Sequence, residues 1–166
     1  MNGSGLGTGE TWREALSIAT LGAKAGADIA FVFASYHYRH DYPSMLAAIR
    51  EELGPGLIVG CSGQGVIGAG REEEQLPALA VMTLDLPGAE LHALHLTQKE
   101  VQYLHDEGEW YALSGRPYPA NAWLVFGDPF TLDPEALIAG LHIASPDGVV
   151  TGGMASSIPG GQRTHL

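Results

Sequence analysis

The sequence predicts an α/β fold with two repeated βαβ units and an added β-hairpin, forming a mixed sheet covered by helices. The first observation is an internal repeat, in which an apolar run, an aspartate, a helical segment and a glycine-bounded run occur twice. Asp41 matches Asp133 and Gly60 matches Gly152, each 92 residues further along the chain. The second observation is that the two apolar runs contain almost no polar residues, which is typical of strands covered on both faces.

The first copy of the repeat follows an N-terminal helix. Residues 1–8 are rich in glycine and are predicted to be a flexible tail, after which residues 9–166 form a single domain. Thr8 or Thr11 is predicted to cap a helix that continues to about residue 24. A strand is predicted over residues 28–35. The helix that follows begins at Asp41 and buries one face, formed by Met45, Leu46, Ile49 and Leu53.

The middle of the chain is predicted to carry the hairpin. Apolar runs at residues 78–85 and 90–96 flank the turn sequence LPGA, and we expect them to pair. Residues 97–120 lack a clear period and are predicted to be a connector with at most one helical turn. The second copy then spans residues 121–151, where Asp133 followed by proline and glutamate is a typical helix start.

The repeat also makes a prediction about the C-terminal end of the domain. If the second copy continued as the first does, its hairpin would fall beyond residue 166. The sequence therefore predicts a domain that is incomplete at this end, or an exposed sheet edge that a homodimer would cover.

Composition excludes several classes of partner. The formal net charge is −11 and only 8 residues are lysine or arginine, so phosphate backbones and anionic membrane surfaces would be repelled. The single cysteine, Cys61, excludes an intrachain disulfide. No signal peptide and no apolar stretch of about 18 residues is present, which predicts a cytoplasmic location without nucleic acid or membrane as partners.

Two glycine-rich segments are the main candidate binding features. Residues 60–65 and 152–157 are equivalent in the repeat and follow strands, and ligands of βαβ sheets bind at the C-terminal ends of strands. Small residues allow a ligand to approach the backbone, and an arginine can hold a carboxylate in a bidentate fork. Tight packing without a ligand is the alternative interpretation. The candidate ligand-binding residues are Cys61, Ser62, Gly63, Gln64, Arg71, Gly153 and Ser156.

Catalytic and metal signatures are weak. Residues 63–68 spell GxGxxG, but no helical pattern follows, and P-loop, HExxH and GxSxG patterns are missing from the sequence. Cys61 with His37 or His40 as base would be a nucleophile, although a buried structural cysteine is the favoured interpretation. A metal site or an axial haem ligand is one interpretation of His37, His40 and Asp41. A solvated loop is the favoured interpretation. We therefore predict no catalytic residue and no metal.

Several motifs resemble the N-terminal part of the FIST domain. Residues 60–68 (GCSGQGVIG) are similar to the family's glycine-rich turn, and residues 70–74 to the Arg-Glu pair that follows it. An apolar strand at 78–85, the LPG turn at 86–88 and the segment VTGGMAS at 150–156 come in the family's order. The resemblance covers roughly residues 12–160.

The resemblance implies a small-ligand-binding sensory domain of a signal transduction protein. It allows haem as a cofactor and an amino acid as a ligand, and it implies a signalling protein as partner. The alternatives are a cysteine-dependent enzyme that uses Cys61 and a protein-interaction module without a ligand. This chain departs from the family's pattern in one respect, since its domain is shorter than the family's usual N-terminal module.

Overall fold

A computed structural model describes residues 2–115, 119–157 and 163–165 and confirms an α/β fold with mixed strand pairing. The chain divides into two compact units. Unit 1 comprises Met1–Leu91 with Ser156–Leu166, and unit 2 comprises His92–Ala155. Each unit contains one copy of the repeat. Within the described residues, no helix combines the length and the apolar character needed to cross a membrane.

Unit 1 is built on a four-stranded sheet with strand order β1-β6-β2-β3. β2 and β3 are parallel, whereas β6 is antiparallel to both β1 and β2. The elements of this unit are β1 (Gly3–Thr8), α1 (Trp12–Ala19), β2 (Ile29–Ser35), α2 (Tyr42–Leu53), β3 (Leu57–Gly63), β4 (Val66–Gly68), β5 (Arg71–Glu73) and β6 (Ala78–Leu84).

The two faces of this sheet pack against different elements. Val32 and Val81 belong to the core that the sheet forms with α1 and α2. Residues next to them in the chain, such as Ala80, point to the other face and pack with Val66 of the small β4-β5 hairpin. The alternation along β2 and β6 therefore buries both faces, as the apolar runs predicted.

Helices α1 and α2 begin at the residues that the sequence indicated. Thr11 caps α1 in a reciprocal capping box with Glu14, and Asp41 occupies the N-cap position of α2. Ile49 is fully buried on the inner face of α2. Leu46, which we expected on the same face, is 38% exposed, because it lies at the edge of the helical stripe.

The N-terminal residues are not a flexible tail, since Gly3–Thr8 form the edge strand β1. A Cβ atom at Gly5 would lie 2.0 Å from the carbonyl oxygen of Ala19, and one at Gly7 would lie 2.0 Å from that of Ala15. The glycines thus allow β1 to pack directly against the backbone of α1. Their abundance reflects close packing rather than mobility.

The predicted hairpin between residues 78–85 and 90–96 is wrong. The first run forms β6, but residues 90–96 belong to no strand. Both edges of β6 are already occupied, one by β1 and the other by β2, so a third partner has no free edge. The hairpin that exists among the described residues of unit 1 is β4-β5.

Unit 2 packs three helices on a parallel pair of strands. Its elements are α3 (Gln98–Tyr103), α4 (Glu107–Ser114), β7 (Ala122–Gly127), α5 (Pro134–Ala144) and β8 (Val149–Met154). The predicted connector at 97–120 is therefore wrong in its described part, because α3 and α4 lie within it. Packing within unit 2 explains why these two segments are helical, because Val101 of α3 and Trp110 of α4 bury their side chains against α5.

The repeat has a matching strand register in both units. Gly60 of β3 lies opposite Val32 of β2, and Gly152 of β8 lies opposite Val125 of β7. A Cβ atom would lie 1.8 Å from the carbonyl oxygen of Val32 at Gly60 and 1.9 Å from that of Val125 at Gly152. The two glycines are required for the same reason, which confirms that the repeat is structural.

Candidate functional site

The candidate site lies in unit 1 at the C-terminal ends of β2 and β3. Cys61, Ser62 and Gly63 were expected in a glycine-rich turn, but they form the last residues of β3. The turn itself is confined to Gln64 and Gly65, before β4 begins. The segment is strand-like because it continues the parallel pairing with β2, in which Ser62 lies opposite Ala34.

Ser62 is the centre of a hydrogen-bond network with the C-terminal segment. Its hydroxyl donates to the carbonyl oxygen of Ser156 (3.0 Å) and accepts from the backbone N–H of His165 (3.0 Å). Its own N–H donates to the carbonyl oxygen of His165 (2.8 Å), and its carbonyl oxygen accepts from the N–H of Ser156 (3.1 Å). Because β3 is the edge strand of the sheet, these bonds cover part of its free edge.

Gln64 joins the same network through its backbone. Its N–H donates to the hydroxyl oxygen of Ser156 (2.9 Å). The structure thus brings together three of the predicted site residues, Ser62, Gln64 and Ser156. The contact of Gln64 is made by the main chain, whereas the amide side chain was the group that we expected to bind a ligand.

Aromatic rings line the network on the side of α2. The ring of His165 lies edge-on to that of Tyr42, with 5.1 Å between centroids, and 6.0 Å from the ring of Tyr36. The guanidinium of Arg39 stacks over Tyr36 at 4.8 Å. The hydroxyl of Tyr42 donates to the carbonyl oxygen of Ser35 (3.0 Å), and burial raises its pKa well above the usual range, so Tyr42 stays neutral.

Two hydroxyls in the C-terminal segment are buried and have no hydrogen-bond partner within residues 2–115, 119–157 and 163–165. They are Oγ of Ser157 and Oγ1 of Thr164, next in sequence to Ser156 and His165. The side chain of Ser157 is 7% exposed. An unpaired buried hydroxyl costs on the order of 1–3 kcal/mol, and native proteins contain only a few such groups, each of which calls for an explanation.

Cys61 is half-buried and lies beside Phe33 in the β2–β3 pairing. Burial raises the pKa of its thiol to about 11. The thiolate that a nucleophile requires is therefore scarce at neutral pH. His37 and His40, the bases considered for this cysteine, are exposed in the loop between β2 and α2.

Two of the predicted ligand-binding residues lie away from this network. Arg71 is on β5, where its guanidinium donates to the carbonyl oxygen of Leu6 (2.9 Å) and so contacts strand β1. Gly153 belongs to β8 of unit 2, in a strand rather than the turn that we expected. Residues 158–161 of the last predicted strand-end loop lie outside the described residues.

Sequence reasoning missed Tyr42, Ser157, Thr164 and His165. In the sequence, Tyr42 is an ordinary first-turn residue of α2, and Thr164 and His165 have no motif around them. Ser157 is the last residue of the second glycine-rich segment, and this position was the available signal for it. His165 is 103 residues from Ser62, and no local pattern predicts a contact across that distance.

The described residues do not fit a metal ion or haem. None of their histidine, cysteine, aspartate and glutamate side chains form a group of three or more that could bind a metal. The haem ligand that the sequence allowed was a histidine, which would bind the iron through its imidazole as an axial ligand. His37 and His40 are exposed, and the ring of His165 packs against Tyr42, so we derive no function through haem.

An open groove of about 370 Å³ is found elsewhere in unit 1, between α1 and α2. Trp12, Leu16 and Ala48 form its apolar floor, and Arg13 and Glu52 lie at its rim. No predicted ligand-binding residue lines it. We place the candidate site at Ser62 and the C-terminal segment instead, because polar groups converge there and the hydroxyls of Ser157 and Thr164 have no partner in the described part of the chain.

Comparisons with known proteins place the chain in a family. It is 27% identical over 169 residues to the uncharacterized proteins MT0656 and Rv0628c of Mycobacterium tuberculosis, from strains CDC 1551 and H37Rv. The alignment covers 97% of this chain and 41% of each relative, so the chain spans about two fifths of their length. No solved structure matches it. The FIST N domain model matches residues 28–166, and the chain therefore belongs to the FIST N domain family.

Proposed function

We propose that this chain is a sensory domain of a signal transduction protein and binds a small molecule at the C-terminal ends of β2 and β3. FIST domains are generally sensory domains in signalling proteins. The proposed ligand-binding groups are the hydroxyls of Ser157 and Thr164, in the C-terminal segment that Ser62 anchors through Ser156 and His165. A cytoplasmic location and a signalling protein as partner are part of the same proposal.

The two unpaired hydroxyls carry this proposal. Ser157 Oγ and Thr164 Oγ1 are shielded from water and have no hydrogen-bond partner among the residues that the structure describes. A ligand that supplies polar atoms to both would recover the free energy that their burial costs. The neighbouring Ser62, by contrast, is saturated by Ser156 and His165, and its role is to hold the segment in place.

Charge favours a ligand with a carboxylate. Arg39 stacks on Tyr36, Tyr36 lies beside His165, and Arg163 is two residues before His165. The guanidinium of Arg39 and the imidazole of His165 thus both pack on the ring of Tyr36, in a chain whose net charge is −11. Because an arginine fork suits a carboxylate and hydroxyls suit an ammonium or a second polar group, an amino acid is the ligand class that we propose.

Binding would act on a partner through the C-terminal segment. Ser156 and His165 fix this segment to β3, so a ligand that bonds Ser157 and Thr164 shifts the balance between its docked and undocked states. The proposal assigns no catalytic step to Cys61, because burial raises the pKa of the thiol and both candidate bases are exposed.

The test is a binding screen of the twenty amino acids against the whole chain, by thermal shift and calorimetry. We expect at least one to raise Tm, and we expect Ser157→Ala and Thr164→Val to weaken its binding by tenfold or more, a loss of about 1.4 kcal/mol. In the absence of ligand, both variants should raise Tm, because each removes an unpaired buried hydroxyl.

Ser17→Ala is the matched control, since the Ser17 hydroxyl is exposed and bonded within α1. It should change neither ligand affinity nor Tm appreciably. If no amino acid binds, or if Ser157→Ala binds as well as the unmodified chain, the proposed site is wrong.

A further inference from the structure

Unit 2 contains a small cavity between two tryptophans. Trp110 of α4 and Trp123 of β7 line it, together with Ala144 and Ser145 at the end of α5. Its volume is about 10 Å³. A single water molecule requires roughly 10–15 Å³ of such space, so the cavity holds one water-sized ligand and nothing larger.

Both indole N–H groups are buried without a hydrogen-bond partner among the described residues. Trp110 is 1% exposed, which makes its unpaired donor an uncommon feature of a folded core. An indole nitrogen can only donate, so each group requires an acceptor. No acceptor in the described part of unit 2 bonds to either indole.

Contact between the two rings does not satisfy both donors. The centroids are 6.2 Å apart and the planes are inclined by 61°, which is an edge-to-face arrangement. In such a pair, one ring presents an edge and the other a face, so at most one N–H can point into a π system. At least one indole is left, and it borders the cavity.

The lining selects a neutral acceptor. The described residues around the cavity are Trp110, Tyr111, Ser114, Ala120, Trp123, Ala144 and Ser145, and none of these carries a charge. A halide ion would be buried without a counter-charge from any of these described residues, which is costly. Water accepts from two donors and can itself donate to a hydroxyl or a carbonyl group.

We propose that this cavity is a binding site for one structural water molecule, which accepts a hydrogen bond from the indole of Trp110 or Trp123 and bridges α4 to β7. The bridge joins a helix to the sheet of unit 2 within the core. This inference concerns unit 2 and is independent of the ligand site proposed in unit 1.

The test is a measurement of water contacts at the three indole N–H groups of the whole ¹⁵N-labelled chain by NMR. We expect a cross-peak to a long-lived water at the N–H of Trp110, of Trp123 or of both. The N–H of Trp12, in unit 1, serves as the internal reference. A chain in which neither indole of unit 2 contacts water would overturn the proposal, and addition of sodium chloride or bromide should not shift these resonances.

A filled cavity provides a second test. Ala144→Val adds two methyl groups to the lining and should remove the water cross-peak and lower Tm, because the donors lose their acceptor. Ala139→Val is the control, since Ala139 is exposed on the same helix and receives the same two methyl groups without lining the cavity. Equal effects of the two substitutions on the cross-peak and on Tm would contradict a bound water.

Discussion

The two copies of the repeat share their backbone plan and differ in their surroundings. β2-α2-β3 and β7-α5-β8 have the same register, and each has an aspartate at the helix N-cap. β2, however, has β3 on one side and β6 on the other, whereas β7 pairs only with β8 among the described residues. All but one of the seven residues of β2 are buried, compared with one of six in β7.

The difference teaches that the repeat encodes a supersecondary unit and not a site. Cys61 and Ser62 of the first copy correspond to Gly153 and Met154 of the second, which carry no comparable polar groups. The hydrogen-bond network forms on the first copy because Ser156 and His165 reach the edge of β3. The same backbone unit therefore contributes to the candidate site in the first copy because of what surrounds it, and not because of the repeat itself.

The largest expected effect is unfolding of one copy of the repeat when its close-packed glycine, Gly60 or Gly152, is substituted. Gly60→Ala and Gly152→Ala each place a Cβ atom less than 2 Å from a carbonyl oxygen of the neighbouring strand. We expect each to lower the free energy of unfolding by more than about 4 kcal/mol. Hydrogen exchange with mass spectrometry, read separately for peptides of each unit, would show where protection is lost.

Gly153→Ala is the control for this pair, because no atom lies within 4 Å of a Cβ built there. It should change the free energy of unfolding by less than about 0.5 kcal/mol. If Gly60→Ala unfolds unit 1 while Gly152→Ala is tolerated, the two registers are not equivalent in solution.

The second expected effect is the loss of stability on truncating the core residue that occupies the same position in each copy, Ile49 or Leu141. Both are fully buried, but Ile49 belongs to a cluster of twelve buried residues and Leu141 to a cluster of five. We expect Ile49→Ala to cost about 4 kcal/mol and Leu141→Ala about 3 kcal/mol, because the smaller core relaxes more easily around a cavity. Urea denaturation measures both values.

Ile138→Ala, on the same helix as Leu141 but 45% exposed, should cost well below 1 kcal/mol. A cost for Leu141→Ala that exceeds the cost for Ile49→Ala would show that unit 2 is packed as rigidly as unit 1.

The third effect concerns the thiol that only the first copy possesses. With a pKa near 11 instead of 9.0, Cys61 should react with iodoacetamide about 100-fold more slowly at pH 7 than in the urea-unfolded chain. Because its folded pKa is the higher one, the thiol stabilises the fold fully below about pH 9 and loses this contribution as the pH rises towards 11. Alkylation followed by mass spectrometry gives the rate.

Cys61→Ala should accordingly have a flatter stability profile over the same alkaline range. Equal alkylation rates in the folded and unfolded chains would show that the thiol is not buried, and would reopen a nucleophilic role.

The smallest expected effect is the loss of stability on replacing either of the two N-cap aspartates, Asp41 and Asp133. Asp133 accepts hydrogen bonds from the backbone N–H groups of Glu135 (3.0 Å) and Ala136 (3.1 Å), whereas the Asp41 side chain makes no capping bond. Asp133→Ala should cost about 1 kcal/mol, and Asp41→Ala only a few tenths of that. Denaturation curves give the free energies of unfolding of the two alanine variants. Comparing these values with those of the Asp→Asn variants at the same positions tests the difference.

Comparable losses at both positions would mean that Asp41 caps α2 in solution, and that the two helix starts are alike in energy as well as in sequence.

Several local elements of this protein could be predicted from the sequence alone, although β1, α3 and α4 could not. The spacing of 92 residues predicted both βαβ units, and Thr11 and Asp133 marked the starts of α1 and α5, because capping and helical periodicity depend on neighbours within a few residues. The same patterns named Ser62 and Ser156 as members of a site, and the contact between them is present.

Tertiary structure decided the pairings that join distant segments. β1 was read as a tail because glycine carries no apolar signal, and its strand conformation depends on α1 and β6. β6 was assigned the wrong partner because an apolar run does not specify which strand completes its edges. The bonds of Ser62 to His165 close a loop of 103 residues, and no local preference encodes such a contact, since its formation depends on packing of the whole unit.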